Sequence, residues 1–287
     1  MKALGTLLAL VVALALAAWA APSLAAPGDP PGYFGETGFR VCDPKFYEYF
    51  NARGGVRTFG YPVSRCFKLA GFKVQIFQRR ALQLGNDGGV NQLNLLEGLY
   101  LPYTNFNGAR FPAADPALVA AAPAPGSPGY AEAVIEFIRA NAPDVVGPYR
   151  VNFLETFRSS VTMAEAFPRG GGNAGLLSGI HLEMWGVPTS RPAPDPGNPN
   201  FVYQRFQRGV MHFDAATGTT QGVLLGDYFK SVLTGRNLPA DLAEQVRQSQ
   251  DPRFLRAYDN SQADGLRSGS GLWDTNLRDA FEGEPPA

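Results

Sequence analysis

Two parts of the sequence place a histidine near a carboxylate at a spacing that suits metal binding or acid–base chemistry. His181 and Glu183 are two residues apart, and so are His212 and Asp214. On a β-strand, residues i and i+2 point to the same side, so each pair would present an imidazole and a carboxylate together. Such groups are common ligands for divalent metals. The four residues are alternative metal ligands, and the two carboxylates are alternative catalytic residues of a hydrolase.

The elements that would position these residues belong to a unit that occurs twice. The sequence FGYPVSR at 59–65 returns as WGVPTSR at 185–191, and VQIFQR at 74–79 returns as YQRFQR at 203–208. The spacing between matching blocks stays between 126 and 129 residues. Two copies are fewer than the roughly three that a solenoid needs, so we expect two related lobes.

Each copy predicts a short helix, a Gly-Pro turn and a small antiparallel sheet built from hairpins. Asp43 is a good helix N-cap before Pro44. The first copy predicts strands at 65–69 and 72–78 and a third ending near 84, and the second predicts strands at 201–207 and 209–213. The fold class is therefore α+β, with flanking helices expected at 130–141, 224–233 and 239–248.

The chain divides at changes of composition. We expect a signal peptide at 1–25, an N-terminal linker at 26–39, the first lobe at 40–119 and an Ala/Pro/Gly linker at 120–129. The second lobe follows at 130–250 and a C-terminal tail at 251–287. This tail is polar and glycine-containing, so most of it is expected to be loose, with Leu272, Trp273 and Phe281 as possible docking points.

The N-terminus has the pattern of an export signal. A short basic start precedes the uncharged run from Ala3 to Ala18, and small residues allow cleavage after Ala25, or alternatively after Ala20. We therefore expect a secreted protein, extracellular or associated with the cell envelope, with no membrane segment after cleavage. Cys42 and Cys66 are the only cysteines, and export favours a disulfide between them over two buried free thiols.

Composition excludes some partners. The chain of 287 residues carries 25 Lys and Arg against 25 Asp and Glu, so nothing favours nucleic-acid binding, which needs a net basic face. Hydrophobic residues make up 45%, which is enough for a packed core. The first copy has Gln83 where the second has His212. A metal site would therefore not be shared by the two copies, and we expect neither metal nor cofactor.

The arrangement Gly54-Gly55, Phe59-Gly60-Tyr61-Pro62 and Val74-Gln75-x-Phe77-x-Arg79 resembles the LGFP-type repeat of bacterial envelope proteins. It is also similar to uncharacterised secreted bacterial proteins that carry this unit twice. The resemblance implies attachment to the cell wall or its glycans without catalysis.

A glycan-binding surface needs exposed aromatic rings and planar polar groups. The motif residues of suitable type are Tyr61, Arg79, Trp185, Tyr203 and Arg208. The alternative is that the large aromatic residues form the core of each lobe. We expect a secreted non-catalytic protein that associates with a cell-wall or extracellular glycan. The alternatives are an extracellular hydrolase of polysaccharide or peptidoglycan, and a scaffold that binds other envelope proteins through its strand edges and Pro-rich segments.

Overall fold

The computed structural model describes residues 32–98 and 100–284. The expected signal peptide lies outside the described residues. The first half contains β1 (Tyr33–Phe34), β2 (Phe39–Arg40), α1 (Pro44–Ala52), α2 (Gly55–Phe59), β3 (Phe67–Leu69), β4 (Phe72–Ile76), β5 (Ala81–Leu84), β6 (Val90–Leu93), β7 (Asn105–Phe106), β8 (Ala109–Arg110) and α3 (Pro116–Ala121). The second half contains α4 (Tyr130–Asn141), α5 (Phe153–Ser159), α6 (Met163–Ala166), α7 (Ala174–Trp185), β9 (Ala193–Pro194), β10 (Phe201–Phe206), β11 (Gly209–Asp214), β12 (Thr219–Gly222), α8 (Leu225–Thr234) and α9 (Ala240–Gln248).

Two four-stranded antiparallel sheets form the centre of the fold. Sheet 1 has the order β3-β4-β5-β6, and sheet 2 has the order β12-β11-β10-β9. In sheet 1 Gln75 lies opposite Leu82, and in sheet 2 Gln204 lies opposite Met211. The α+β fold class is confirmed, and the predicted strand pairs of both copies are present.

The helix N-cap and helix bounds predicted from the sequence are also present. The Asp43 side chain accepts a hydrogen bond from the Lys45 amide, and Pro44 opens α1. Helix α4 has the predicted bounds, and its apolar face buries Val134 and Ile138. The linker expected at 120–129 overlaps the end of α3 by two residues.

The two segments that carry the sheets share their hydrophobic cores. Each core combines side chains from 40–119 with side chains from 130–250. The first core contains Val74 and Ile76 together with Phe229 and Val232, and it also takes in residues of the tail. The second core lies on the other side of the sheets, under helices α1, α4, α5 and α7. Each segment therefore contributes to both cores.

The expected N-terminal linker is folded over its described part. Strands β1 and β2 form a hairpin between residues 33 and 40, and the rings of Phe34 and Phe39 are buried. Phe34 packs against Phe50, with ring centroids 5.8 Å apart. This burial orders a segment whose sequence predicted only a connection.

The prediction that most of the tail is loose is wrong. Leu277, Ala280 and Phe281 are buried in the first core. The Asn276 amide donates to the Lys68 carbonyl oxygen over 2.8 Å, so the tail runs antiparallel along the outer edge of β3. Apolar burial and these backbone hydrogen bonds hold it in place and cover an edge strand.

The Cys42–Cys66 disulfide is confirmed. It joins the residue before the N-cap of α1 to the segment that enters β3, with Cα atoms 5.7 Å apart. A loop of this length gives a stabilisation of about 3 kcal/mol in the chain-entropy model. A disulfide of this kind is typical of an oxidising, extracellular environment.

Among the described residues, no helix is long and apolar enough to cross a membrane.

Candidate functional site

The two aromatic-Gly-x-Pro segments form the same turn. Gly60 has φ of 72°, and the Gln78 side chain folds beneath it to accept a hydrogen bond from the Tyr61 amide over 3.0 Å. Gly186 has φ of 67°, and Gln207 accepts from the following amide over 3.1 Å. A Cβ at these glycines would lie 2.6 Å and 2.5 Å from the Cβ atoms of the two glutamines. The close approach and the positive φ both require glycine.

The aromatic residues of the motif lie in the core. Trp185 is only 4% exposed, and it packs against Phe206 with ring centroids 5.7 Å apart. Phe59 packs against Phe77 at the same distance. Tyr203 is also buried, against Phe111. Neither Trp185 nor Tyr203 offers a free ring face for a sugar. The structure supports the alternative that these large aromatic residues form the core.

Tyr61 is half-buried rather than free on the surface. Its ring packs on Phe34 at 5.6 Å. Burial and a hydrogen bond with Glu36 raise the pKa of its hydroxyl. These contacts connect the first turn to the N-terminal hairpin, so they account for Tyr61 without a ligand.

The two motif arginines have different positions. Arg79 extends from the end of sheet 1 to β12, where it donates to the Gly222 carbonyl oxygen over 3.1 Å and to Gln221 Oε1 over 3.2 Å. Arg208 is exposed and donates to the carbonyl oxygen of Glu183 over 3.0 Å, near the C-terminus of α7. The two side chains therefore donate to different elements, Arg79 to β12 and Arg208 to α7. Arg208 thus lies at the surface and Arg79 is half-buried against β12, and a binding role for the pair stays a prediction.

Sequence reasoning missed Arg80, which is buried between the two sheets. Its guanidinium lies 4.6 Å from the centre of the Trp185 ring and donates to the Met184 carbonyl oxygen over 2.5 Å. It also donates to Gln92 Oε1 over 2.7 Å and to the Arg208 carbonyl oxygen over 3.3 Å. Burial lowers the pKa of Arg80 to about 9. Its role is to join the two halves of the molecule.

The first His–carboxylate pair is on a helix, so the strand prediction is wrong there. His181 and Glu183 both lie in α7, where residues i and i+2 are about 200° apart around the axis. The His181 ring contacts the Val161 carbonyl oxygen over 2.8 Å, and burial lowers its pKa. Glu183 accepts hydrogen bonds from the Tyr49 hydroxyl at 2.5 Å and from Arg53 Nε at 3.0 Å. Both side chains have structural partners.

The second pair lies on β11 as predicted, but it is not part of a metal site. His212 pairs with Tyr203 across the sheet, and burial, with Arg79 adding to it, lowers the His212 pKa to about 4. Asp214 accepts a hydrogen bond from the Ala216 amide in the following turn. Within residues 32–98 and 100–284, no group of three or more His, Cys, Asp or Glu residues could hold a metal ion.

The most exposed large hydrophobic side chain of the described chain is Trp273, at 65%. It lies in the tail, next to the tip of the β3–β4 hairpin. A Cβ at Gly71 would be 3.7 Å from its ring. The Gly71 amide donates to the Asp274 carbonyl oxygen over 2.8 Å, which fixes the tail against the hairpin. The sequence marked Trp273 as a docking residue, but its ring points outward.

A recess of about 520 Å³ opens beside this tryptophan. We call it the hairpin recess. Its walls come from β3, the hairpin tip, the start of β4 and the tail, and the disulfide borders it. The lining residues are Cys66, Phe67, Lys68, Gly71, Lys73, Asn276 and Arg278. Residues that carry ammonium, guanidinium and amide groups therefore line an open space next to an exposed indole.

A second recess of about 440 Å³ lies between α4 and α7. Its lining is mainly apolar, with Val134 and Ile135 on one side and Gly175 and Gly179 on the other. Tyr130, Glu132, Glu136 and Ser178 also line this second recess, and its charged residues are acidic. The hairpin recess combines cationic residues with the neighbouring exposed indole of Trp273, so it is the candidate functional site.

Comparisons of the chain with protein-family models, with curated proteins and with solved structures found no match.

Proposed function

We propose that this chain is a secreted, non-catalytic protein that associates with glycans of the cell envelope, and that the hairpin recess carries the binding. The observation that supports this most is the exposed Trp273 beside a recess lined by polar side chains. An indole face stacks on the apolar face of a sugar ring, while neighbouring Lys, Arg and Asn side chains donate to its hydroxyl groups.

The positions of the carboxylates favour binding over hydrolysis. A glycoside hydrolase needs two carboxyl groups on either side of the scissile bond. Glu183 is bonded to Tyr49 and Arg53, and Asp214 is bonded to the backbone of its own turn. Neither of them lines the hairpin recess or the recess between α4 and α7. The carboxylates that line the latter recess, Glu132 and Glu136, are one helical turn apart on the same side of α4 rather than on opposite walls.

The location follows from the N-terminal sequence and the disulfide. The basic start, apolar run and small-residue cleavage site support export, and the Cys42–Cys66 bond suits an oxidising compartment. The LGFP-type resemblance supports attachment to the cell envelope. In this proposal the duplicated units build the frame, and the tail and the first hairpin together supply the binding surface.

Co-sedimentation tests the proposal. Purified protein comprising residues 26–287 is mixed with peptidoglycan sacculi and with insoluble polysaccharides, and the supernatant is assayed for released sugars and peptides. We expect saturable pelleting without release. Trp273→Ala should weaken binding by about 1–2 kcal/mol, or roughly 5- to 30-fold, because the stacking surface is lost. Val145→Ala, at a residue that is 63% exposed elsewhere, is the matched control.

Two results would contradict the proposal. Release of soluble products that stops in Glu183→Gln would make the protein a hydrolase. Pelleting that is the same for Trp273→Ala and the wild type would exclude the hairpin recess as the site. If the protein neither pellets nor releases products, the remaining function is the scaffold, and the search moves to envelope protein partners.

A further inference from the structure

We infer that the hairpin recess selects glycans that carry an anionic group, either a carboxylate or a phosphate ester. This inference rests on the proposed function and names the class of sugar that the same site takes. It follows from the charge of the lining, the free hydrogen-bond donors of that lining and the rigidity of the walls.

The lining of the recess carries only positive charge. Lys68, Lys73 and Arg278 contribute three cations, and no carboxylate lines the recess among the described residues. The chain as a whole has equal numbers of acidic and basic residues, so the lining is richer in basic residues than the chain on average. Each cation has an aspartate partner outside the lining, so an anion would be attracted at short range by the cationic groups that border the recess rather than by a net positive charge of this surface.

The two lysines have carboxylate partners that lie outside the lining. Lys68 Nζ is 2.5 Å from Asp274 Oδ1, and Lys73 Nζ is 2.7 Å from Asp43 Oδ2. An ammonium group has three donors, so each lysine keeps donors for a ligand. Asp43 also caps α1 through its other oxygen, which divides its negative charge between two donors. The carboxylates therefore orient the lysines without occupying the recess.

Of the three cationic residues that line the recess, Arg278 has the longest ion-pair distance to a carboxylate. Its nearest acidic contact is Asp279, at 3.9 Å from Nε, and its side chain is 59% exposed. Its backbone is held by Asn276, whose side-chain oxygen accepts from the Arg278 amide over 2.9 Å. A guanidinium group matches carboxylate and phosphate oxygens with two parallel hydrogen bonds. Arg278 is therefore the residue that would recognise the anionic group.

The walls of the recess are rigid before any ligand binds. The disulfide fixes Cys66, the antiparallel contacts between Lys68 and Asn276 fix the tail, and the Thr275 hydroxyl accepts from the Ala70 amide at the hairpin tip. A preformed site loses less conformational entropy on binding. The backbone that carries Trp273 and Arg278 is therefore held against the hairpin on both sides of Asn276 in the sequence.

Matched pairs of soluble glycans test the inference. The protein comprising residues 26–287 is titrated by calorimetry with oligogalacturonate and with its methyl ester, and with phosphomannan and with the dephosphorylated mannan. We expect at least one anionic glycan to bind about 10-fold or more tightly than its neutral counterpart, with the preference falling at high salt. Oligogalacturonate identifies a carboxylate site, and phosphomannan identifies a phosphate site.

Two variants separate the contribution of the charged contact to glycan affinity from the contribution of ring stacking. Arg278→Gln should remove most of the preference for the anionic glycan and leave the affinity for the neutral one within about two-fold, since only the charge-assisted contact is lost. Trp273→Ala should weaken both. Arg139→Gln, an exposed arginine of α4, is the control that should change neither.

The outcomes distinguish this inference from the proposed function. Equal affinity for the charged and neutral members of both pairs, or an anionic preference that survives Arg278→Gln, would overturn the inference while leaving glycan binding in place. Failure of all four glycans to bind would overturn the inference. If pelleting with sacculi were also absent, the proposed function would fail with it.

Discussion

Two buried glutamines that hold corresponding positions in the two sheets allow a comparison within one molecule. Gln75 Nε2 donates to the carbonyl oxygens of Arg40 and Ser64, and its Oε1 accepts from the Cys42 amide over 3.2 Å. Gln204 is equally buried. Its Nε2 donates to the carbonyl oxygens at 141 and 190, but among the described residues its Oε1 has no hydrogen-bond partner.

The difference has a covalent cause. Cys42 follows two residues after Arg40, whose carbonyl oxygen accepts from Gln75. Two residues after the Asn141 carbonyl oxygen that accepts from Gln204, the chain has Pro143. Proline has no amide hydrogen, so the donor that would satisfy the second glutamine is missing.

We predict that Gln75→Leu destabilises the protein more than Gln204→Leu. The first change leaves the Cys42 amide unpaired, whereas the second removes an oxygen that is already unpaired. The unpaired Cys42 amide costs about 1–3 kcal/mol, and Gln204→Leu removes an unpaired oxygen that costs roughly 1 kcal/mol or more in the wild type, so the two free energies of unfolding should differ by about 2–4 kcal/mol. Leucine fills a similar volume, so packing contributes little to the difference.

Urea unfolding of both variants, with the disulfide oxidised, measures this difference if the m-values agree. A cost for Gln204→Leu that equals or exceeds the cost for Gln75→Leu would refute the reasoning. Pro143→Ala provides a second check, because the added amide should stabilise the wild type more than it stabilises Gln204→Leu.

Three further predictions concern stability. Replacing both Cys42 and Cys66 by Ser should lower the free energy of unfolding by about 3 kcal/mol, as measured by urea unfolding, and an unchanged midpoint would refute it. Burial raises the pKa of Asp227 to about 6, so Asp227 contributes stability at low pH that is lost as the pH rises through 6. Burial lowers the pKa of His212 to about 4, so His212 contributes stability above pH 6.5 that is lost as the pH falls through 4. Between pH 4 and 6 the two effects oppose each other. After allowance for partial exposure, the free energy of unfolding should rise by about 2 kcal/mol on acidification in His212→Gln and fall by a similar amount in Asp227→Asn. Equal pH profiles of unfolding for the two variants would contradict this. Arg80→Met should cost about 3 kcal/mol by thermal or urea unfolding, because buried carbonyl oxygens lose their donor, and a change below 1 kcal/mol would contradict the role of Arg80 between the sheets.

The parts of the fold that the sequence predicted are those encoded locally. Ala70-Gly71 fits a tight turn. The apolar residues Val74 and Ile76 are two positions apart and lie on the same face of β4, so the hairpin could be identified without distant contacts. Tyr130–Asn141 has its apolar residues on one face, which is the pattern of a half-buried helix. Asp43 acts as the N-cap that its residue type predicts.

Helix α7 was missed because it is apolar around much of its circumference. The buried residues Ile180, His181, Met184 and Trp185 share one side of the helix, but Leu176 and Leu182 place apolar side chains on the other sides, so the sequence shows no single apolar stripe. The spacing of His181 and Glu183 then suggested a strand. Asn173, whose side chain accepts from the Leu176 amide, was the available signal for a helix start.

The candidate site could not be predicted because distant segments form it. Its walls join the first hairpin to the tail, and the tail is held by isolated apolar residues such as Leu277 and Phe281 in a polar sequence. Such residues have no periodicity. Trp273 and Trp185 are alike by residue type, and only the packing of the whole chain makes one exposed and the other buried.

The fluorescence of Trp273 during glycan titration tests the central claim most directly. The chain from residue 26 onward has two tryptophans, Trp185 in the core and Trp273 on the surface. Titration with soluble peptidoglycan fragments and with oligogalacturonate should shift the emission to shorter wavelength and reduce acrylamide quenching in a saturable way, and Trp273→Phe should abolish both changes. Absence of any change at saturating glycan, or the same change in Trp273→Phe, would contradict binding at the hairpin recess.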